Sequence, residues 1–297
     1  MRVAVLGGGG MLGHKLFQTL GRRFPETWCT LRGTRGAAGL DRIGAPADRV
    51  AEGIDAADWP ALGAWLAALR PAVVVNCVGV IKQRATAANA VAAIDINALL
   101  PHRLAQACAE WGGRVIHFST DCVFSGRRGM YAEGDPTDAV DLYGRSKALG
   151  EVDAPNALTL RTSIIGRELR HHASLLDWFL AHPGPTVPGY TRAWWSGVTT
   201  NHLADVVADL VERGAALSGV YQLSSGRISK HDLLVLLQGA YGRDVEIVAD
   251  PGECCDRSLC GDRFAAAAGY RFPGWPALLE QLVSDPTPYP VPNAVTS

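Results

Sequence analysis

Apolar residues near the start of the chain fall into short unbroken runs, separated by stretches in which they recur every three or four positions. The run RVAVL at 2–6 stops at four glycines, and from Leu12 onward Leu12, Leu16, Phe17 and Leu20 follow helical spacing. This predicts strand, glycine-rich turn, helix. The alternation continues with a strand over 27–31, a helix over 61–69 and a wholly apolar strand over 72–78. A helix over 96–111, a strand over 114–118, a helix beginning near 143 and a strand over 157–165 follow. Strands that are apolar at every position are buried on both faces. Strands alternating with helices imply right-handed crossovers and a doubly wound, mostly parallel α/β sheet, the Rossmann arrangement.

Beyond Gly166 the pattern loosens. It predicts a helix over 175–181, a Pro/Gly stretch over 183–189, a helix over 203–211 and a strand over 219–223 that returns to the sheet. Residues 1–166 are therefore read as a dinucleotide-binding domain, with the returning strand near 219–224, and 167–285 as mainly substrate-binding. Four prolines after Ser284 mark 286–297 as an irregular tail.

A chain of 297 residues with 48% hydrophobic composition buries a large core without staples. Its net charge of -1, with both signs evenly mixed, offers no field for nucleic acid or an anionic membrane, so small-molecule chemistry is favoured. No apolar run is long enough to span a bilayer and no signal-like segment precedes the first strand, which points to a cytoplasmic protein. Seven scattered cysteines argue against a disulfide framework, and neither the Cys254, Cys255, Cys260 cluster nor the adjacent His171 and His172 has metal-ligand spacing, so no metal is expected.

Gly7, Gly10 and Gly13 stand between the first strand and first helix, where glycine allows a tight turn and close approach of a pyrophosphate to the positive helix end; Met11 and Leu12 begin that helix. An NAD site places a carboxylate at the end of the second strand, whereas this chain has Arg32, with Arg35 close behind. A guanidinium there pairs with a ribose phosphate, so NADP(H) is preferred over NAD(H). Asp55 is a candidate acceptor for the adenine amine, or equally a helix N-cap.

Tyr143 and Lys147 form Y-x-x-x-K, which puts phenol and ammonium one turn apart on one helix face and allows the cation to lower the phenol pKa. Ser119 and Thr120 lie at the carboxyl end of a buried parallel strand, where such sheets bind ligands; a hydroxyl there can hold a carbonyl beside the phenol, or merely cap the strand. The segments STDCVFSG (119–126), YGRSKALGE (143–151) and LRTS (160–163) resemble the dTDP-4-dehydrorhamnose reductase family of extended short-chain dehydrogenases/reductases. The resemblance implies a sugar-nucleotide reductase with Thr120, Tyr143 and Lys147 as the catalytic trio and the three glycines around the pyrophosphate. It also implies that Cys77, Val78 and Gly79 run along the nicotinamide ribose, and it leaves room for a homodimer.

Departures from the family fall at the substrate end. Cys122 replaces the tyrosine of STDYVF, Ile164 stands where a tryptophan follows the LRTS strand, and Lys82 lies in an altered stretch after Gly79. The resemblance thus implies retained chemistry on a different sugar or nucleotide. Trp195, beside Trp194 and Arg192, can stack on a base or sugar or pack an interface; Arg257, in DRSL (256–259), can hold a diphosphate or form a surface salt bridge. Two other classes remain open. One is a 4-epimerase or dehydratase on the same fold, although Asp121 is followed by Cys122 rather than the glutamate of a dehydratase. The other is a noncatalytic NADP-binding regulatory subunit.

Overall fold

The computed structural model describes residues 1–81 and 89–291. Its central sheet contains β1 (Val3–Leu6), β2 (Thr27–Thr30), β3 (Val50–Ala51), β4 (Val73–Asn76), β5 (Arg114–Thr120), β6 (Ala157–Thr162) and, much later in the chain, β10 (Gly219–Gln222). The spatial order is β3-β2-β1-β4-β5-β6-β10, with every neighbouring pair parallel. The order reverses between β1 and β4, so the crevice outside their carboxyl ends is where such a sheet binds ligands.

Alternation along β1 divides the core into two layers. Val3 and Val5 pack with Leu16, Leu20, Leu203 and Val207 of helices 11–23 and 200–212, while Ala4 and Leu6 pack with Leu62, Leu66, Leu100 and Leu104 on the opposite face. Both faces of the sheet are covered, as the unbroken apolar runs require. The expected returning strand is β10, hydrogen-bonded to β6 from Gly219 opposite Leu158 to Gln222 opposite Arg161.

The second half is more ordered than its pattern predicts. β7 (Ile164–Ile165) pairs with β9 (Val198–Thr199), and a separate sheet joins β11 (Ile228–Ser229), β8 (Thr186–Trp195) and β12 (Glu246–Asp256). Pro188 and Gly189, read as loop residues, lie inside β8. In β12, Pro251 and Gly252 fall where the register against β8 shifts between Asp250 and Cys254, the kind of interruption at which a strand tolerates them. The helix expected over 96–111 begins earlier, as Ala90–Ala93, a π-helical stretch Ile94–Leu99 and Leu100–Ala109.

The end of the described chain has no regular element, yet it is tied to the first helix. Lys15 Nζ and Asp285 form an ion pair at 2.6 Å with side chains only 6% and 5% exposed, and the Lys15 ammonium also donates to Thr287. Burial alone would raise the Asp285 pKa, but hydrogen bonds from Lys15 and Asn201 overcome it and bring the value to about 2. The carboxylate therefore contributes stability above its unfolded pKa of roughly 4, and that contribution is lost as pH falls toward about 2. Asp285→Ala, which leaves Lys15 buried and unpaired, is expected to cost about 3–5 kcal/mol in urea unfolding at pH 7. A loss below about 1 kcal/mol would show that the pair does not hold the tail.

Candidate active site

Two contiguous clefts, of about 390 and 290 Å³, open at the carboxyl edge of the sheet and share Gly9, Gly10, Cys77, Val78, Gly79 and Arg170. The glycine turn forms their common floor. Gly7 has φ +82, and a Cβ on Gly13 would run into the Gly7 carbonyl oxygen, so strand and helix approach here only because both residues are glycine. Gly10, the N-cap of helix 11–23, supplies no side-chain cap, which leaves that helix end to another acceptor.

The smaller cleft is walled by Arg32, Gly33, Thr34 and Asp55. Of the two arginines expected at a ribose phosphate, only Arg32 lies there. Arg35 is turned away: its Nε pairs with Asp41 at 2.7 Å and its Nη1 donates to the Ala45 carbonyl at 3.0 Å. Asp55 accepts from the Ala57 amide, and the N-cap of helix 59–69 is Asp58, so the capping role read for Asp55 belongs three residues later.

The larger cleft brings together Met11, Leu12, Thr120, Cys122, Tyr143, Lys147 and Ile164. Thr120 ends β5, its Oγ1 accepting from the Cys122 amide at 3.1 Å and donating to Asp121 Oδ1 at 3.1 Å. Tyr143 lines the same cleft, close enough to the Thr120 hydroxyl to feel it. Burial is the largest influence on the phenol and raises its pKa, whereas Lys147 does not figure among the groups that shift it. This corrects the expectation of a phenol acidified by its lysine. Lys147 Nζ instead reaches under β5, donating to the Phe118 carbonyl at 2.5 Å and lying 3.3 Å from His117 Nε2. Burial pushes its ammonium down to about 8, against the pull of Glu151.

Ser119 is directed elsewhere, donating to Glu151 Oε1 at 2.7 Å. Glu151 in turn holds Arg161 through two bonds of 2.7 Å, a buried bidentate pair that fastens the chain just after helix 142–149 to β6. Trp195 and Arg257 do not wall the larger cleft. Trp195 is 3% exposed and packs on Trp275 with ring centroids 5.4 Å apart, and Arg257 donates to the Phe124 carbonyl at 3.0 Å. Lys82 lies outside the described residues. Among those residues no cluster of three or more His, Cys, Asp or Glu side chains could hold a metal ion, and no helix is long and apolar enough to cross a membrane.

The family model described as RmlD substrate binding domain matches residues 1–240. The chain belongs to this family. A dTDP-4-keto-6-deoxy-D-glucose reductase from Streptomyces niveus is 30% identical over 203 residues, 66% of this chain and 67% of that protein. A probable low-salt glycan biosynthesis reductase from Haloferax volcanii is 30% identical over 163 residues, covering 52% and 54%. The alignments thus span between about half and two thirds of these relatives. A dTDP-4-dehydrorhamnose reductase from Bacillus anthracis str. Ames, solved in complex with NADP, shares the fold with TM-score 0.77 at 18% identity, over 95% of this chain and 98% of that one.

Three features of this RmlD-family chain escape a reading by motif. Asn97, in the π-helical stretch, accepts from the Val80 amide and donates to the Val80 carbonyl and to Ser146 Oγ, so one buried amide joins the segment after β4 to helix 142–149. The loop carrying Glu168, Arg170, His171 and Ser174 walls the larger cleft, and His171 and His172 take φ of +77 and +50, a costly conformation for two successive non-glycine residues. Lys230, at the start of helix 230–241, sits 4.1 Å from the centre of the Trp195 ring, its ammonium pushed down to about 8 by burial against the pull of Asp121, Cys122 and Cys255. Only Asn97 carries a signal in sequence, as an amide inside an apolar helical run. The glycine turn yields a direct test: Gly13→Ala is expected to destabilise the fold by about 1–3 kcal/mol through overpacking and to weaken dinucleotide binding. Unchanged thermal stability together with unchanged cofactor titration would show that this close approach does not matter.

Proposed function

We propose that this chain is an NADPH-dependent oxidoreductase that reduces a nucleotide-activated 4-keto-6-deoxy sugar. The observation that carries the reading is the meeting of Thr120, Tyr143 and Lys147 in one cleft at the carboxyl edge of the sheet, continuous with the glycine turn. The dinucleotide would lie with its pyrophosphate at Gly7, Gly10 and the uncapped helix end, its adenosine half against Asp55 and its nicotinamide half along Cys77, Val78 and Gly79. When bound, NADPH supplies the hydride. The chain's own residues orient and protonate: Thr120 and Tyr143 hold the sugar carbonyl, and Tyr143, a protonated phenol at neutral pH, gives the proton to the new hydroxyl oxygen. Lys147 lies where it can hold ribose hydroxyls.

Arg32 favours NADP over NAD, since it is one of two guanidinium-bearing residues, with Arg170, on the wall of the smaller cleft and the one that follows β2. Cys122 and Ile164 bear on the choice of sugar. Arg257 and Lys230 lie near Asp121 and Cys122 but outside the walls of the larger cleft, and of the two only Arg257, half-buried, is kept as a candidate for the substrate diphosphate. The names of the curated relatives support a sugar-nucleotide reductase, and the intact Tyr143 and Lys147 support catalysis over a binding subunit.

Two measurements test this reading. With a panel of nucleotide-linked 4-keto-6-deoxy sugars, one NADPH should be oxidised per sugar reduced, and Tyr143→Phe should lower the rate by about 100- to 10,000-fold while leaving NADPH affinity nearly intact. Sugar conversion without net NADPH oxidation would mean an epimerase or dehydratase, and a fully active Tyr143→Phe would remove the proton donor. Arg32→Ala should weaken NADPH by roughly tenfold, equivalent to about 1.4 kcal/mol, and NADH much less. An equal loss for both cofactors would reject the preference.

A further inference from the structure

The two clefts meet at Gly9, Gly10, Cys77, Val78, Gly79 and Arg170, and of these six, among the described residues, only Arg170 has a charged side chain. A dinucleotide that runs from Asp55 to the stretch 77–79 carries its doubly negative pyrophosphate past this junction. The end of helix 11–23 at Gly10 meets that group with backbone amides. Arg170 comes from elsewhere in the fold. It belongs to the loop 166–174 that follows β7, yet its Nη1 donates at 3.2 Å to the carbonyl of Ala37, in the short helix 35–38 after β2. Leu169, 4% exposed, makes the same crossing: a Cβ on Gly39 would stand 3.2 Å from the Leu169 Cβ. In the sheet β2 and β6 lie on opposite sides of β1 and β4, so a loop that leaves the end of β7 and touches the chain after β2 spans the point where the strand order reverses.

The crossing loop is held in shape from within. Asp177, wholly buried, accepts from Arg167 Nε at 2.5 Å, from the Glu168 amide at 3.0 Å and from His172 Nδ1 at 2.8 Å. Glu168 accepts from the amides of Ala173 and Ser174 at 2.7 and 3.0 Å. These bonds sustain the left-handed backbone of His171 and His172, directly after Arg170. We propose that Arg170 is a binding residue for the cofactor pyrophosphate, carried across the cleft by loop 166–174 to the open end of helix 11–23. The inference rests on the reading of the two clefts as a dinucleotide site. A guanidinium presents several N–H donors in a planar fork, so a carbonyl can anchor it while it also faces phosphate oxygens. The two arginines then divide the cofactor: Arg32 serves the ribose phosphate that distinguishes NADPH, and Arg170 serves the pyrophosphate that NADPH and NADH share. Because the same loop walls the larger cleft with Glu168, His171 and Ser174, one element from the second half of the chain touches both cofactor and substrate sides.

The test needs neither substrate nor turnover. In calorimetric titrations of cofactor-free protein, Arg170→Met, which keeps the length of the side chain and removes its charge, should weaken NADPH and NADH by the same factor. That factor should be about 10- to 100-fold, the loss expected for a hydrogen bond to a charged group. Adenosine 2′-monophosphate, which has the ribose phosphate and no pyrophosphate, should bind Arg170→Met as it binds the unaltered protein, whereas Arg32→Ala should weaken it. Should Arg170→Met not fold, Arg170→Lys, which keeps the charge without the fork, should show a smaller loss that is again equal for the two dinucleotides. Unchanged affinity for both dinucleotides, or a loss confined to NADPH, would overturn the inference. So would an equal loss of adenosine 2′-monophosphate, which would make Arg170 a prop for the adenosine side. A working NADPH-dependent reductase whose cofactor affinity ignores Arg170→Met would reject this inference alone, and equal losses of both dinucleotides in a protein that never oxidises NADPH would reject the reductase reading alone.

Discussion

Placing the Lys147 ammonium beneath a strand, out of reach of bulk water, is the constraint around which the candidate site is organised. A buried charge without partners costs several kcal/mol, so the surrounding chain must either satisfy it or neutralise it. The Phe118 carbonyl, His117 and, further off, Glu151 are the groups that answer this demand. Each in turn requires its own partner: Asn76 for His117, and Arg161 with Ser119 for Glu151. Strands β4, β5 and β6 are thus tied together by polar side chains in a region where their neighbours are Val, Ile, Leu and Phe. Such a network is stable only when every member is satisfied.

The dinucleotide side depends on shape more than on charge. Glycines at 7 and 13 let β1 and the first helix come closer than any other residues would permit, and the turn's open amides follow from that approach. The substrate side is built differently. Its walls come from the end of β5, from the chain after β6 and from a loop in which two histidines adopt left-handed backbone, so it draws on elements distant in sequence.

This difference explains what could be read directly from the residues. β1, β4, β5 and β6 were legible because a doubly buried strand leaves a largely apolar run, and β2 and β10 from shorter mixed runs, whereas β3, two half-buried residues, left no run to read. Gly7, Gly10, Thr120, Tyr143 and Lys147 were legible because their spacing is local and the fold brings the three segments to one edge. Arg35 was misplaced because it begins a short helix, 35–38, that turns its side chain toward Asp41, a neighbour only the fold reveals. Trp195 lies in a strand whose Pro188 and Gly189 hid it, and its ring is covered by Trp275 and Lys230 rather than turned to the larger cleft. His117 carried no signal of its own, since a histidine in an apolar strand gains its meaning from the amide and the ammonium on either side.

The position of β10 has a consequence for synthesis on the ribosome. β6 can pair with β5 as soon as it emerges, but its other edge is closed only by β10, after all the chain from Ile164 to Leu217 has been made. At about 5–20 residues per second, that edge waits on the order of several seconds with its backbone groups unpaired. Throughout the wait the nascent protein displays an apolar strand with Leu158 and Leu160 beside an open ladder, a surface that another nascent copy could extend. The sheet that carries the candidate reaction centre is therefore finished by a strand from the second half of the chain, and its most aggregation-prone moment comes just before that strand arrives.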